Sequence, residues 1–144
     1  MQGTLAPPHG NETVLLVEDE DILRAFTRQV LRSLGYTVLD AANATEALTV
    51  SAAHPDTIHL LATDVVMPGT GGQQLAEQML ALRPDLRVLY LSGYTSEAIV
   101  RHGVLQAEIN FLRKPFTAGT LAQKIREVLD APLPHAQPLA AVGS

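Results

Sequence analysis

The stretch VLLVEDED, residues 14–21, joins four apolar residues to four acidic ones. An apolar run of valine and leucine is typical of a strand that is buried on both faces. The four adjacent carboxylates that follow repel one another, so a cation or a favourable backbone dipole has to offset their charge. The stretch therefore predicts a buried strand that ends in a charged site.

The rest of the chain alternates in the same way between short β-rich runs and stretches with helical spacing. The β-rich runs cover residues 13–17, 36–41, 58–63, 87–92 and 108–112. The stretches between and after them predict five helices. Five strands alternating with five helices predict an α/β fold, a doubly wound parallel sheet with helices on both faces. In such sheets, ligands bind outside the carboxyl ends of the strands.

Individual residues refine the helix predictions. Three helices show an apolar face that we expect to meet the core. These faces are Ile22, Phe26 and Val30 in the first helix, with Leu23, Leu31 and Leu34 beside them, Leu75, Met79 and Leu82 in the third, and Leu121, Ile125 and Val128 in the fifth. The second helix (44–53) is alanine-rich, and the fourth (95–102) has only a weak apolar face. Gly35 predicts the end of the first helix and Thr117 the N-cap of the fifth. Arg126 is expected on the solvated face of that last helix.

Composition excludes several classes of protein. The 144 residues contain no cysteine, which rules out disulfides and thiolate metal sites. A net charge of −5 argues against a nucleic-acid-binding surface. We find neither a membrane-spanning run nor a signal peptide, and therefore expect a cytoplasmic protein that binds no membrane by itself. Proline and glycine near both ends predict flexible linkers at 1–12 and 131–144 around a folded unit at 13–130.

Polar side chains stand where the predicted strands end. Glu18 and Asp19 follow the first strand, Asp64 the third, Ser92 ends the fourth and Lys114 follows the fifth. Carboxylates at this density are typical ligands of Mg²⁺ or Mn²⁺, and the metal would offset the repulsion within the acidic run. A metal, an ammonium and a hydroxyl around one carboxylate suit phosphoryl transfer, and a carboxylate is itself able to accept the group. Asp64, alone at a central strand end, is the predicted acceptor.

At this point the sequence resembles a known family. The ordered motifs VEDE (17–20), TDVVMPG (63–69), LSGYT (91–95) and FLRKPF (111–116) resemble those of response regulator receiver domains, over residues 13–130. The amino-acid sequences of these motifs are most similar to those of receivers in hybrid sensor histidine kinases. In such a kinase the Pro-rich segment 1–12 would be a linker. The resemblance implies a CheY-like, flavodoxin-like sheet of order 2-1-3-4-5. It also implies phosphorylation of Asp64 by a histidine kinase or a phosphotransfer domain.

The resemblance further implies a role for each matching position. Asp19 would bind the metal directly and Glu18 mainly through water, with Asp64 and the backbone carbonyl of Val66 as further ligands. Ser92 and Lys114 would contact the phosphoryl group. Phe111 matches the position that switches with Ser92, and Pro115 would follow a cis peptide bond. Val66 and Tyr94 lie where family members tune hydrolysis of the aspartyl phosphate. An apolar side chain and a ring there predict a long-lived phosphoryl group.

Two alternative functions are open on the sequence alone. Asp19 and Asp21 form an Asp-x-Asp pair that is typical of Mg²⁺-dependent phosphatases of the haloacid-dehalogenase type. A pseudo-receiver, which binds partners without being phosphorylated, is the other alternative. The receiver interpretation leaves the downstream protein partner and a weak homodimer open. It is equally compatible with a free-standing regulator and with a segment of a hybrid kinase tethered to the membrane by its sensor part.

Overall fold

A computed structural model describes residues 8–92 and 110–132 of the chain. The strands are β1 (Thr13–Val17), β2 (Thr37–Ala41), β3 (Leu60–Asp64), β4 (Arg87–Ser92) and β5 (Phe111–Arg113). The helices of the described part are α1 (Asp21–Ser33), α2 (Ala44–Ala53), α3 (Gly72–Leu82) and α4 (Ala118–Asp130). The predicted helix at 95–102 lies outside the described residues. None of the described helices has the length and apolarity to cross a membrane.

The five strands form one parallel sheet in the order β2-β1-β3-β4-β5. This order confirms the predicted doubly wound fold. In register, Val17 lies opposite Thr63, Asp64 opposite Leu91, and Ser92 opposite Arg113. The carboxyl ends of four strands therefore meet at one edge of the sheet. The order changes direction next to β1, and that is where such sheets bind ligands.

Alternate residues of the strands face two separate cores. Leu15 and Leu61 pack on the α2–α3 side, together with Ala47 and Met79. Val14, Leu16 and Leu60 pack on the other side, together with helix residues Leu31, Leu121 and Ile125. All ten of these side chains are fully buried. Because both faces of the sheet are covered, the sequences of the strands are nearly continuous apolar runs.

The apolar face predicted for α1 was wrong at Ile22 and Phe26, while Leu31 and Leu34 beside it do meet the core. Ile22 is 87% exposed and Phe26 is 41% exposed, whereas Thr27 and Leu31 are buried. The helix is rotated so that a neighbouring row of residues meets the sheet. Arg28 on α1 reaches Asp40 on β2 at 2.6 Å, and this ion pair fits the observed rotation. Two large apolar side chains are therefore left in solvent.

The predicted core position of Leu82 was also wrong. Leu75 and Met79 are buried as expected, but Leu82 is 69% exposed. Leu82 is the last residue of α3, where the chain turns back toward the sheet. Leu86, just before β4, supplies the buried apolar side chain in that region.

Several local predictions are confirmed. The second helix covers Ala44–Ala53, the predicted 44–53. Gly35 follows the end of α1 with a φ of 102°, a conformation that glycine adopts without strain. Thr117 caps α4 in a capping box with Thr120. The third strand ends one residue later than predicted, because Asp64 itself belongs to β3.

Residues just before β1 are bonded to the rest of the fold. The N–H of Gly10 donates to the carbonyl oxygen of Leu34 at 3.1 Å. Glu12 binds Arg126 of α4 through both carboxylate oxygens, at 2.9 and 2.8 Å. Arg126 also donates to Tyr36 Oη at 3.2 Å, so its side chain, predicted on a solvated face, is partly covered by these contacts. The division of the chain at residues 12 and 130 stays a prediction.

Candidate functional site

The strand ends enclose a cavity of about 330 Å³. Its lining residues are Asp19, Glu20, Asp64, Val66, Leu91, Ser92 and Lys114. Asp64 and Ser92 are the last residues of β3 and β4, and Lys114 directly follows β5. The structure thus brings together side chains that the sequence separates by up to 95 positions. Five of the lining residues were predicted for the site, namely Asp19, Asp64, Val66, Ser92 and Lys114, whereas Glu20 and Leu91 were not.

Three carboxylates form the anionic part of the site. One carboxylate oxygen each from Glu18, Asp19 and Asp64 lie within 4.8 Å of one another. Glu18 and Asp64 are buried, while Asp19 is exposed. Glu18 Oε2 accepts a hydrogen bond from the main-chain N–H of Glu20 at 3.1 Å. Asp64 Oδ2 is buried and accepts no hydrogen bond within the described part of the chain.

Lys114 supplies the balancing charge. Its Nζ lies 2.9 Å from Glu18 Oε1 and 2.5 Å from Asp64 Oδ1. The main-chain N–H of Lys114 donates to the carbonyl oxygen of Ser92 at 2.7 Å, which fixes the loop after β5 against the end of β4. The Lys114–Pro115 peptide bond is cis, as the resemblance implied.

Burial and charge change the acidity of two groups in the site. Burial raises the pKa of Asp64 from 3.8 to about 8, and the neighbouring Glu18 adds to this rise while Lys114 opposes it. Burial alone lowers the pKa of Lys114, but its hydrogen bonds to Asp64 and Glu18 outweigh burial and raise it. Without a second cation, the site therefore favours a protonated Asp64 beside a charged Lys114.

The donor set fits a hard divalent cation. Mg²⁺ prefers oxygen ligands, and the three clustered carboxylates supply them. Asp64 Oδ2 is buried and has no partner in the part of the chain that the structure describes, and a ligand satisfies such an atom. Val66 lies at the edge of the same cavity, half-buried, two residues after Asp64. Residues that would hold Mg²⁺ are therefore present at one place.

Gly72, which sequence reasoning missed, lies directly against the backbone of Asp64. The N–H of Gly72, the first residue of α3, donates to the carbonyl oxygen of Val65 at 2.8 Å. A Cβ atom at Gly72 would lie only 1.9 Å from the carbonyl oxygen of Asp64. Only glycine fits this close approach of the helix to the strand end. The pair Gly71–Gly72 before a helical run was the available signal.

The two residues predicted to switch together lie on neighbouring strands. Phe111 opens β5, half-buried, and packs against the α2–α3 core. The Ser92 side chain is 2% exposed at the end of the neighbouring strand. Tyr94, predicted to tune dephosphorylation, lies outside the described residues.

The fold and the site define a doubly wound α/β domain equipped for phosphoryl chemistry, with carboxylates, an ammonium and a hydroxyl around one cavity. The family model for the response regulator receiver domain matches residues 14–126. The chain belongs to this family and is a receiver domain of two-component signal transduction systems.

Individual relatives agree with the family. The chain is 38% identical over 121 residues to the sensor kinase CckA of Brucella abortus, covering 84% of this chain and 13% of the kinase. It is 30% identical to the response regulator receiver protein CpdR of the same organism, covering 82% of this chain and 97% of that protein. The crystal structure of the receiver domain of the hybrid histidine kinase CckA superposes with a TM-score of 0.69 at 35% identity, covering 82% of this chain and 99% of the other.

The Asp-x-Asp alternative does not describe this site. Asp21 is the first residue of α1 and binds Arg24 at 2.8 Å, with an exposed carboxylate. The carboxylates that cluster with Asp19 are those of Glu18, in the loop between β1 and α1, and Asp64, at the end of β3. Together with the family match, this arrangement corrects the phosphatase interpretation.

Proposed function

We propose that Asp64 is the phosphoacceptor of this receiver domain and takes its phosphoryl group from a phosphohistidine of a histidine kinase or a phosphotransfer domain. One observation carries the proposal: Asp64 is buried at the end of a central strand, with Oδ1 on Lys114 and with Oδ2 lacking a partner among the described residues. Glu18, Asp19, Asp64 and the carbonyl of Val66 hold Mg²⁺ in this proposal. Mn²⁺, which shares the preference for oxygen ligands, is expected to replace it.

The transfer forms one bond and breaks another. An oxygen of ionised Asp64 attacks phosphorus, the phosphorus–nitrogen bond of the phosphohistidine breaks, and its electron pair stays on the imidazole nitrogen. Mg²⁺ held by these residues would neutralise charge on the phosphoryl oxygens and would lower the pKa of Asp64, which favours the ionised carboxylate. Asp64 needs this help, because its pKa without metal is about 8.

Lys114 and Ser92 act on the transferred group. The Lys114 ammonium already touches Asp64 Oδ1, so it lies next to the place where a phosphoryl group bonded to Asp64 carries its negative charge. The Ser92 hydroxyl, at the end of the adjacent strand, donates to a phosphoryl oxygen. Reorientation of Ser92 biases Phe111 between two positions, and this changes the surface that a downstream partner meets.

Ile22 and Phe26 form the docking surface for the phosphodonor. They lie one turn apart on the first two turns of α1, directly after the acidic loop, and both are exposed. Exposed large apolar side chains beside a reactive site are typical of protein interaction surfaces. An apolar face on the donor helix that bears the phosphohistidine would cover them. We place the domain in the cytoplasm, where such kinases have access to ATP.

Val66 and Tyr94 slow the loss of the phosphoryl group in this proposal. Val66 lines the cavity at Asp64 with an apolar side chain, which gives an attacking water no hydrogen-bond partner. The aspartyl phosphate is expected to persist longer than that of receivers with polar residues at both positions. Substituting Val66→Asn and following loss of the added mass tests this point, since faster loss is expected.

Intact mass after incubation with acetyl phosphate and Mg²⁺ tests the acceptor. We expect one added phosphoryl group in the wild type and in Asp21→Asn, a neighbouring acid outside the cavity. No adduct is expected in Asp64→Asn or in wild type with EDTA. An adduct that persists in Asp64→Asn contradicts the assignment. The absence of any adduct, under conditions that modify another receiver, supports a pseudo-receiver.

A further inference from the structure

Arg24 connects the acidic loop after β1 to the helix and strand beside it. Its Nη1 donates to the main-chain carbonyl oxygen of Glu18 at 2.8 Å, and its Nη2 binds Asp21 at the same distance. The Nε atom lies 3.5 Å from a carboxylate oxygen of Asp40 on β2. The Arg24 side chain is only 18% exposed, and its bond to the Glu18 carbonyl is partly buried, whereas Asp21 is largely exposed.

The neighbouring residues hold Arg24 in turn. Arg28, one turn later on α1, binds the same oxygen of Asp40 at 2.6 Å. The N–H of Glu18 donates to the carbonyl oxygen of Ala41, next to Asp40, at 3.1 Å. The loop that carries Glu18 is thus bonded through its N–H to β2 and through its carbonyl to Arg24. A planar guanidinium suits this role, because it presents several donors in a fixed geometry.

We propose that Arg24 is a positioning residue of the phosphorylation site. By binding the Glu18 carbonyl, it fixes the loop so that the carboxylates of Glu18 and Asp19 face the metal. This inference deepens the proposed function and rests on it. Arg24 contacts neither the metal nor the phosphoryl group and acts through the backbone of the metal-binding loop. Groups that orient metal ligands from outside typically affect metal affinity strongly.

The direction in which Mg²⁺ affinity changes when Arg24 is replaced distinguishes a positioning role from a purely electrostatic one. Arg24 is a cation close to an acidic metal site, so its charge alone weakens binding of Mg²⁺. If charge were its only effect, removing it would tighten binding. If Arg24 positions the loop, removing it weakens binding despite the lost repulsion. Calorimetric titration of Mg²⁺ into the metal-free protein, without a phosphodonor, measures this sign.

Arg24→Met keeps the aliphatic stem and removes every donor, and Arg28→Met is its matched control. Arg28 shares Asp40 with Arg24 but is one turn further from the loop. We expect the Kd for Mg²⁺ to rise about tenfold in Arg24→Met. In Arg28→Met it should stay within about twofold of wild type. Unchanged or tighter binding in Arg24→Met overturns the proposal.

Arg24→Lys keeps the inference testable if Arg24→Met does not fold. The lysine retains the charge but has a single ammonium in place of the guanidinium fork. Its Kd should lie between those of wild type and Arg24→Met, or above wild type if only the lysine variant folds. A Kd equal to wild type or lower in Arg24→Lys overturns the proposal.

Backbone amide shifts give a readout without metal. In Arg24→Met, the NMR amide signals of Glu18 and Asp19 should move, while in Arg28→Met they should remain near their wild-type positions. Unmoved signals in Arg24→Met overturn the proposal. If wild type binds Mg²⁺ but is not phosphorylated by acetyl phosphate, the phosphoacceptor proposal fails, whereas the comparison of Arg24 variants still decides the positioning role.

Discussion

The Lys114 ammonium lies 2.9 Å from Glu18 Oε1, across 96 positions of sequence, and bridges Glu18 to Asp64. Two buried carboxylates beside each other are unfavourable unless a cation is near. In the metal-free protein Lys114 is that cation, and Arg24 further offsets the acidic run at 18–21. Metal binding therefore adds charge to a site that is already partly neutralised.

The pH dependence of stability tests the environment of Asp64. Its pKa is raised from 3.8 to about 8, so between these values the folded state keeps a proton that the unfolded state has lost. The contribution of Asp64 to the free energy of unfolding therefore falls as pH rises through this range. In EDTA, Asp64→Asn should gain stability over wild type, and at about 1.4 kcal/mol for each pKa unit the gain should be up to roughly 5 kcal/mol larger at pH 8 than at pH 4. Urea unfolding at both pH values measures the difference.

Saturating Mg²⁺ is the control for this prediction. The metal favours the ionised carboxylate, so wild type should regain stability at pH 8 while Asp64→Asn should gain less. An equal stability difference between the two proteins at both pH values would show that the pKa of Asp64 is not raised.

Replacing Gly72 by alanine should damage both the fold and the site. A new Cβ would lie 1.9 Å from the Asp64 carbonyl oxygen, so strand or helix must shift. We expect Gly72→Ala to cost roughly 1–3 kcal/mol and to slow phosphorylation by acetyl phosphate. Chemical denaturation and the rate of mass increase measure the two effects.

Gly119→Ala is the matched control. Gly119 lies in the first turn of α4. The atom nearest to a Cβ added there would be Thr117 Oγ1, at 3.9 Å. Alanine there should stabilise the protein by about 0.5 kcal/mol and leave phosphorylation unchanged. Equal effects of the two substitutions would contradict the close approach at Gly72.

The ion pair between Glu12 and Arg126 should stabilise the domain. The hydrogen bond from Arg126 lowers the pKa of Glu12 from 4.5 to about 2. A lowered pKa stabilises the fold above the unfolded-state value, and this contribution is lost as pH falls from 4.5 toward 2. Glu12→Gln should cost roughly 1 kcal/mol near neutral pH and much less near pH 2.

Asp130→Asn is the comparison for Glu12, since Asp130 binds the same guanidinium at 2.7 Å from a more exposed position. Asp130→Asn should lower the free energy of unfolding by less than Glu12→Gln does. A chain that begins at residue 13 should lose as much stability as Glu12→Gln or more. If it is as stable as a chain that begins at residue 8, the folded unit starts at residue 13, as predicted from sequence.

The substitution Ile22→Ser tests whether α1 binds the protein phosphodonor without affecting phosphorylation of Asp64 itself. Ile22 is 87% exposed, so the substitution should leave stability and phosphorylation by acetyl phosphate unchanged. Transfer from a histidine kinase or phosphotransfer domain that phosphorylates the wild type should slow about tenfold, since an apolar contact is lost. Leu82→Ser, at a 69% exposed position on α3, is the control and should have no effect. Equal transfer rates in the Ile22 variant and wild type would refute the docking surface.

Much of the fold could be predicted from sequence because its signals are local. Apolar runs in the strands, the glycine after α1 and the Thr117 capping box depend on neighbouring residues only. The prediction failed at α1, where two apolar rows compete and only packing against the sheet decides which one is buried. Gly72 was missed because the need for glycine comes from contact with another element.

The sequence by itself determined which side chains end each strand, since alternation and strand length are properties of short segments. It thereby determined the chemistry available: carboxylates, one lysine and one hydroxyl. Only the tertiary structure decided that Lys114 pairs with both Glu18 and Asp64, and that Arg24 binds the loop between β1 and α1. The order of strands and the rotation of helices set these distances, and both follow from burying two apolar faces of one sheet at once.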